Sequence, residues 1–375
     1  MRKAQNWNQP CPNKDCEKFG QLDKGNISSI STYNTKSGKR RTFKCGCCET
    51  QFSETRDTVF FDLRVPRKMV IMVLKMILVK VGLSDIAFVT GITEETILRW
   101  LDRAATKADE INQALLREVN ATQVQLDEMW SFVLRKISEH AKDGNHESPQ
   151  ESEDGRQWVW ISYAPEFRLI LAVIVGPRTY ETALTLIQRT AYIIKGIPAF
   201  FSDGFSCYLK ALIECYYQIK TFIRTGERGR PKNPVKEAHP DLIYGQVVKE
   251  RKGGRIAGIT YRIRCGAERI VQLGLKVSTS LLERLNLTFR QSLAPLVRKS
   301  LSFSKVRRNL QKQVTFFQAF YNVARPHMSL REQISEPGVK FKQVWQQRTP
   351  AMAAGLTDHV WTFEELLNWK NSRSP

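Results

Sequence analysis

The spacing of apolar residues changes several times along the chain, and each change marks a new kind of segment. After Pro66, Met69, Val70, Val73, Leu74, Ile77 and Leu78 recur at helical spacing, and the proline sits where a first helical turn tolerates it. A shorter helix is predicted over Ser84–Val89, closed at Gly91. A third is predicted from Thr93, an N-cap with Glu94 and Glu95 in the first turn, through Ile97, Leu98, Trp100 and Leu101. Short helix, glycine turn and longer helix are the outline of a helix-turn-helix, although many small bundles share it. From Gln123 onward the rhythm turns to strands: Gln123–Val133, Trp158–Tyr163 and Arg168–Val175 predict a meander. A helix over Tyr180–Lys195 and a strand ending at Asp203 follow.

Two of these apolar runs carry a carboxylate. Asp127 interrupts Val124, Leu126, Met129 and Trp130, and Asp203 closes Ile197, Ala199, Phe200 and Phe201. A buried, unpaired carboxylate costs several kcal/mol or shifts its pKa, so a chain retains one for a partner or a cation. The bland alternative is a strand-end residue satisfied by backbone amides. Glu283 begins a polar helical stripe continued by Asn286 and Arg290, while Leu282, Leu285 and Phe289 take another face. Carboxylates converging from two strands and a helix suit Mg²⁺ or Mn²⁺. Two such ions about 3.5–4 Å apart serve phosphodiester chemistry. Glu128, on the opposite face of a regular strand, reads as a solvated or salt-bridged neighbour.

Charge narrows the partner. Lys and Arg number 58 against 37 Asp and Glu, a net +21 that points to a polyanion, with double-stranded DNA the natural candidate. Much of it crowds into residues 218–270, which read as a basic, β-rich insertion. There Arg228 and Arg230, in Arg-Gly-Arg-Pro, have the core of a minor-groove hook or form an ordinary solvated loop. Arg298, Lys299, Lys305 and Arg307 form a second basic run. Met69–Leu83, broken by Lys75 and Lys80, is too short to span a membrane, so a cytoplasmic, nucleoid-associated protein is expected. The cysteines then read as thiols or metal ligands. Cys11 and Cys16 with Cys45 and Cys48 fit a structural Zn²⁺ ribbon over residues 1–58, with Cys47 competing for a ligand place. Cys207 and Cys215 read as core thiols, and Trp158 and Trp160 as core rings.

The strings CPNKDC, FKCGCCETQFSETRDTVF, TGITEETILRWL, QLDEMWSFV, SDGFSCY, ERLNLTFRQ, RKSLSFSK and YNVARPHMSL follow one another along the chain. In that order they resemble DDE transposases of prokaryotic insertion sequences, specifically the insertion sequence one family or a close relative. The resemblance implies an α+β multidomain chain. A zinc ribbon (1–58) and a DNA-binding helix-turn-helix (59–118) would recognise terminal inverted repeats. An RNase H-like catalytic domain (119–335, insertion near 218–270) and a short C-terminal tail with a helix (336–375) would follow. It further implies Asp127, Asp203 and Glu283 as the catalytic, Mg²⁺-holding triad and Arg290 as a phosphate contact. Pairing of two element ends implies a homodimer or larger assembly. Glu283 lies 80 positions beyond Asp203, far more than in the simplest members, and the insertion accounts for the excess. A non-catalytic DNA-binding regulator and a plain RNase H-like nuclease are the rival classes.

Overall fold

The computed structural model describes residues 7, 9–36, 38–134, 155–222, 233–253, 255–334 and 344–370. The hook arginines Arg228 and Arg230 lie outside the described residues. At the N-terminus, β1 (Ile27–Thr35), β2 (Gly38–Cys45) and β3 (Gln51–Ser53) form an antiparallel sheet. Three helices follow: α1 (Arg67–Ile77), α2 (Leu83–Thr90) and α3 (Glu94–Leu115). Gly91 closes α2 at φ 69°, a left-handed conformation that glycine adopts without a Cβ penalty, and the Thr93 side chain caps α3.

Next come β4 (Gln123–Val133), β5 (Gly155–Ala164), β6 (Leu169–Gly176), α4 (Tyr180–Ile193), β7 (Ala199–Ser202) and α5 (Cys207–Cys215). A two-stranded ribbon, β8 (Tyr217–Lys220) with β9 (Val235–Ala238), precedes β10 (Ile243–Lys252) and β11 (Arg255–Cys265). Then follow α6 (Ala267–Gln272), α7 (Ser280–Ser292), α8 (Arg307–Ala319), α9 (Pro350–Ala353) and α10 (Phe363–Asn368).

The principal sheet is mixed, in the order β11-β10-β7-β4-β5-β6. An antiparallel meander β4–β5–β6 is extended on its β4 side by parallel β7 and β10, a mixed α/β arrangement consistent with an RNase H-like domain. Both faces are covered. One packs Met129, Val133, Ile161 and Val173 against α1–α3, α7, α8 and α10; the other packs Val124, Leu126, Trp160 and Phe200 against α4 and α5. Double coverage explains why β6 is a continuous apolar run, buried at every position.

Two expectations change. Residues 218–270 are not wholly an appended insertion, because β10 pairs with β7 and supplies a strand of the main sheet. Leu242, Ile243, Tyr244 and Val247 are buried there, which a solvated basic insert would not need. The helices of residues 59–118 share a core with the sheet, as does α10, whose capping box joins Thr362 to Glu365. The Leu367 carbonyl accepts from the Val59 amide at 3.1 Å, and Lys370 reaches Gln9 and the Glu54 carbonyl, tying the tail back to the N-terminal segment.

Candidate functional site

The length of β7 shapes the site. It pairs with β4 from Gln123 to Leu126 and with β10 from Ile243 to Gln246, then stops at Ser202 while both flanking strands run on. A notch opens at the carboxyl end of β7, where ligands commonly bind in open α/β sheets. Leu126 lies opposite Ser202, so Asp127 and Asp203 are the next residues across the parallel pair and face each other at the floor. Each is held locally: Asp127 Oδ1 accepts from the Glu128 amide at 2.9 Å, and Asp203 Oδ1 from the Phe205 amide at 3.1 Å.

Helix α7 lies over the notch. Its Leu282 amide donates to Gln125 Oε1 at 2.9 Å, and Asn286 Nδ2 donates to Asp127 Oδ2 at 2.6 Å. The other amide atom, Asn286 Oδ1, is buried without a protein partner, an acceptor left free beside the carboxylates. Glu283 sits one turn before Asn286. Its carboxylate accepts from Thr279 Oγ1 at 2.9 Å and forms an ion pair with Lys249 of β10.

The oxygens that gather within 4.8 Å of one another belong to Asp127, Asp203 and Glu128. Glu283 stands outside that closest group, turned to Lys249. The reading of Glu128 as salt-bridged is right, but the carboxylate is not solvated. Only 1% exposed, it accepts from Arg178 Nε at 2.9 Å and Nη2 at 2.5 Å, and from Tyr208 Oη at 2.9 Å. Arg178 in turn stacks on Trp158 and Phe205. Burial first, then the Asp203 charge, pushes Asp127 and Glu128 each up to about 7. Burial also raises Asp203. Crowded carboxylates with few cations attract a proton or a divalent ion, and the oxygen donors together with the orphaned Asn286 acceptor fit a hard cation.

Arg290, expected at phosphate, spends two N–H groups on the carbonyls of Leu296 at 2.9 Å and Trp130 at 3.3 Å, pinning α7 to β4. Arg298, Lys299 and Lys305 are exposed on the chain that follows α7; Arg307 begins α8. His327 packs on Tyr321 and accepts at Nδ1 from the Ser329 amide at 3.4 Å, a local cap.

In the N-terminal segment, the four sulfurs of Cys11, Cys16, Cys45 and Cys48 lie within 4.8 Å of one another, and exposed Cys47 is not among them. Cys11 and Cys48 sulfurs are 3.6 Å apart and Cys16 and Cys45 3.9 Å apart. Tetrahedral Zn–S bonds of about 2.3 Å imply sulfur separations of about 3.8 Å, so the donor set fits zinc. Asn26 Nδ2 donates to the Cys45 sulfur at 3.1 Å.

Glu128, Lys249 and Asn286 are the site residues that sequence reasoning underweighted. Asn286 had a signal, its place on the Glu283 stripe. Lys249 had none, because no local pattern shows that β10 runs beside the notch.

No family model matches this chain, and no curated protein matches it. Among solved structures it is similar to a Mos1 strand transfer complex (8% identity, 36% of this chain and 50% of that one, TM-score 0.17). It is also similar to a Mos1 transposase paired-end complex with the left transposon end (9%, 35% and 51%, TM-score 0.16) and a pre-cleavage Mos1 transpososome (7%, 36% and 53%, TM-score 0.15). The chain spans about half the length of each, and at these scores the likeness says nothing about chemistry. Among the described residues no helix is long and apolar enough to cross a membrane.

Proposed function

We propose that this chain is a DNA transposase of the insertion sequence one type, cleaving element ends and joining them to target DNA. The supporting observation is the notch: two facing aspartates, Asp127 within β4 and Asp203 just past the end of β7, overlain by a helix bearing Glu283 and Asn286. Asp127, Asp203 and Glu283 would hold Mg²⁺ or Mn²⁺, with Glu128 behind them. Such ions, when bound, supply Lewis acidity for an attacking hydroxyl and charge neutralisation for a departing 3′ oxygen. The chain's own residues position and orient. The Asn286 amide fixes the Asp127 carboxylate, and its free oxygen is placed to accept from a water or hydroxyl. Lys249 holds the Glu283 carboxylate in an ion pair, which Glu283 would have to leave to serve as a ligand. Arg298, Lys299 and Lys305 present positive charge to the phosphodiester backbone. Zinc held by the four cysteines would stiffen a ribbon that binds DNA together with α2 and α3, and pairing of ends would require two copies.

A DNA-binding regulator is favoured by one observation, the ion pair that draws Glu283 from the acidic group. Cleavage decides between them. Asp127→Asn is expected to lower Mg²⁺-dependent strand cleavage of DNA carrying an element end by about 10³-fold or more, while binding stays within about threefold. Wild-type protein that binds and never cuts would overturn the enzymatic reading. Cutting without joining would leave a nuclease.

A further inference from the structure

Strand β11 ends the principal sheet, and among the described residues nothing pairs with its outer side. Long open edges invite pairing with another chain, and proteins that stay single blunt them with prolines, inward charge, bulges or short strands. This one holds neither proline nor acid. Its irregularities fall near the ends, so the ladder with β10 is regular from Gly258 to Ile263. Burial of one sheet face stops a strand short of that edge. On β10, Val247 is buried, and a Cβ on Gly245 would meet Val277 at 3.1 Å. Their partners across the ladder are open: Tyr261 is 56% exposed and Ile263 43%, with Ile259 beyond them at 49%.

The strand is self-complementary. Turning one copy about a two-fold axis through Tyr261 sets Tyr261 on its own copy and Ile259 against Ile263, all on the apolar face. On the other face the same turn sets Thr260 against Arg262, so no arginine lies directly opposite another. An axis through Arg262 would oppose the two, at a cost. Gly258 leaves a gap on that face, with Glu250 Oε2 3.5 Å from where its Cβ would stand. Arg262 of the second copy, one pair along, is long enough to reach that acid. DNA suits the apolar face poorly, because Ile259 and Ile263 offer phosphate no donor. A two-fold contact of this kind closes at two copies.

We infer that β11 pairs antiparallel with β11 of a second copy of this chain, about an axis at Tyr261, joining two six-stranded sheets into one. The inference deepens the transposase reading, which requires two copies to pair the ends, by naming the surface that brings them together.

The test uses the full chain without DNA. Sedimentation over a concentration series should show a dimer. Tyr261→Lys, which sets two charges face to face at an exposed position, should raise its Kd about 100-fold or more. Far-UV circular dichroism checks that the variant is folded. Register is read by cross-linking. In Tyr261→Cys the two thiols would sit on opposite residues with Cα atoms about 5 Å apart, so mild oxidation should link the copies. In Thr260→Cys they would be diagonal, about 7–8 Å apart, and should stay largely unlinked. A monomeric wild type, a dimer indifferent to Tyr261→Lys, or equal linking by the two cysteine variants would overturn the assignment. A monomer whose DNA affinity falls with Tyr261→Lys would overturn it too, giving the edge to DNA. A monomer that still shows Asp127-dependent cleavage would strike this surface alone. A dimer that never cleaves would strike the transposase reading and leave the pairing in place.

Discussion

The cysteine cluster and the carboxylate notch each gather metal-type donors within 4.8 Å, yet they are built in opposite ways. The cysteines come from two short knuckles. Asn26 donates to the Cys45 sulfur, and among the described residues no ion pair is made with the cluster. The acids come from β4, β7 and α7, and two of their neighbours are occupied by counter-charges: Glu128 by Arg178, Glu283 by Lys249. The four sulfurs are therefore already gathered, whereas Glu283 of the notch rests on an ion pair with Lys249 outside the closest acidic group.

The largest effect should separate them first. Cys45→Ser is expected to unfold the ribbon, since structural zinc in small domains contributes on the order of 10 kcal/mol. Hydrogen exchange at the Phe43 and Phe52 amides should rise to near-unprotected rates while the buried amides of β6 remain protected. Loss of protection throughout would mean that the two regions are one folding unit.

A smaller contrast lies within the notch. Glu128→Ala leaves Arg178 and the buried Tyr208 hydroxyl without their acceptor and should destabilise the fold by about 3 kcal/mol, measured by urea denaturation. Glu283→Gln should cost under about 1 kcal/mol, its pair being half-exposed, and lower cleavage by about 10²-fold or more. The reverse pattern would make Glu128 the ligand and Glu283 a surface acid.

The smallest effect is with pH. Asp127 and Glu128, each raised to about 7, hold protons in the folded state that the unfolded chain releases near pH 4. Stability from these groups therefore falls as pH rises from about 4 to 7 and stays low above that. The melting temperature without divalent ions should drop by a few degrees across this window, and Mg²⁺ at pH 8 should recover it. A flat profile, unaltered by Mg²⁺, would remove the carboxylates from the metal account.

Local signals made much of this legible in the residues. The Gln123–Val133 strand, the Thr93 and Thr362 caps and the cysteine knuckles all depend on neighbours within a few positions, and each is found where the pattern puts it. Cys47 left the membership of the cysteine cluster open, and in the fold it is exposed and outside the group of four. Long-range pairing was harder. β10 carries lysines and arginines that mark it as surface, but only its register with β7 shows that its first half is core and that Lys249 reaches Glu283. Strand alternation sent Glu128 to the other face of β4, yet its carboxylate comes within 4.8 Å of Asp127 and Asp203. It could not show that Arg178 and Tyr208 wait there to bury it.

The central claim is that Asp127, Asp203 and Glu283 share a divalent ion despite the Lys249 contact. Anomalous diffraction from crystals soaked in Mn²⁺ measures this directly. The account predicts a peak in the notch ligated by Asp127 and Asp203, with Glu283 swung off Lys249 to join them. No peak there, or one that Glu283 ignores while Glu128 binds, would contradict it.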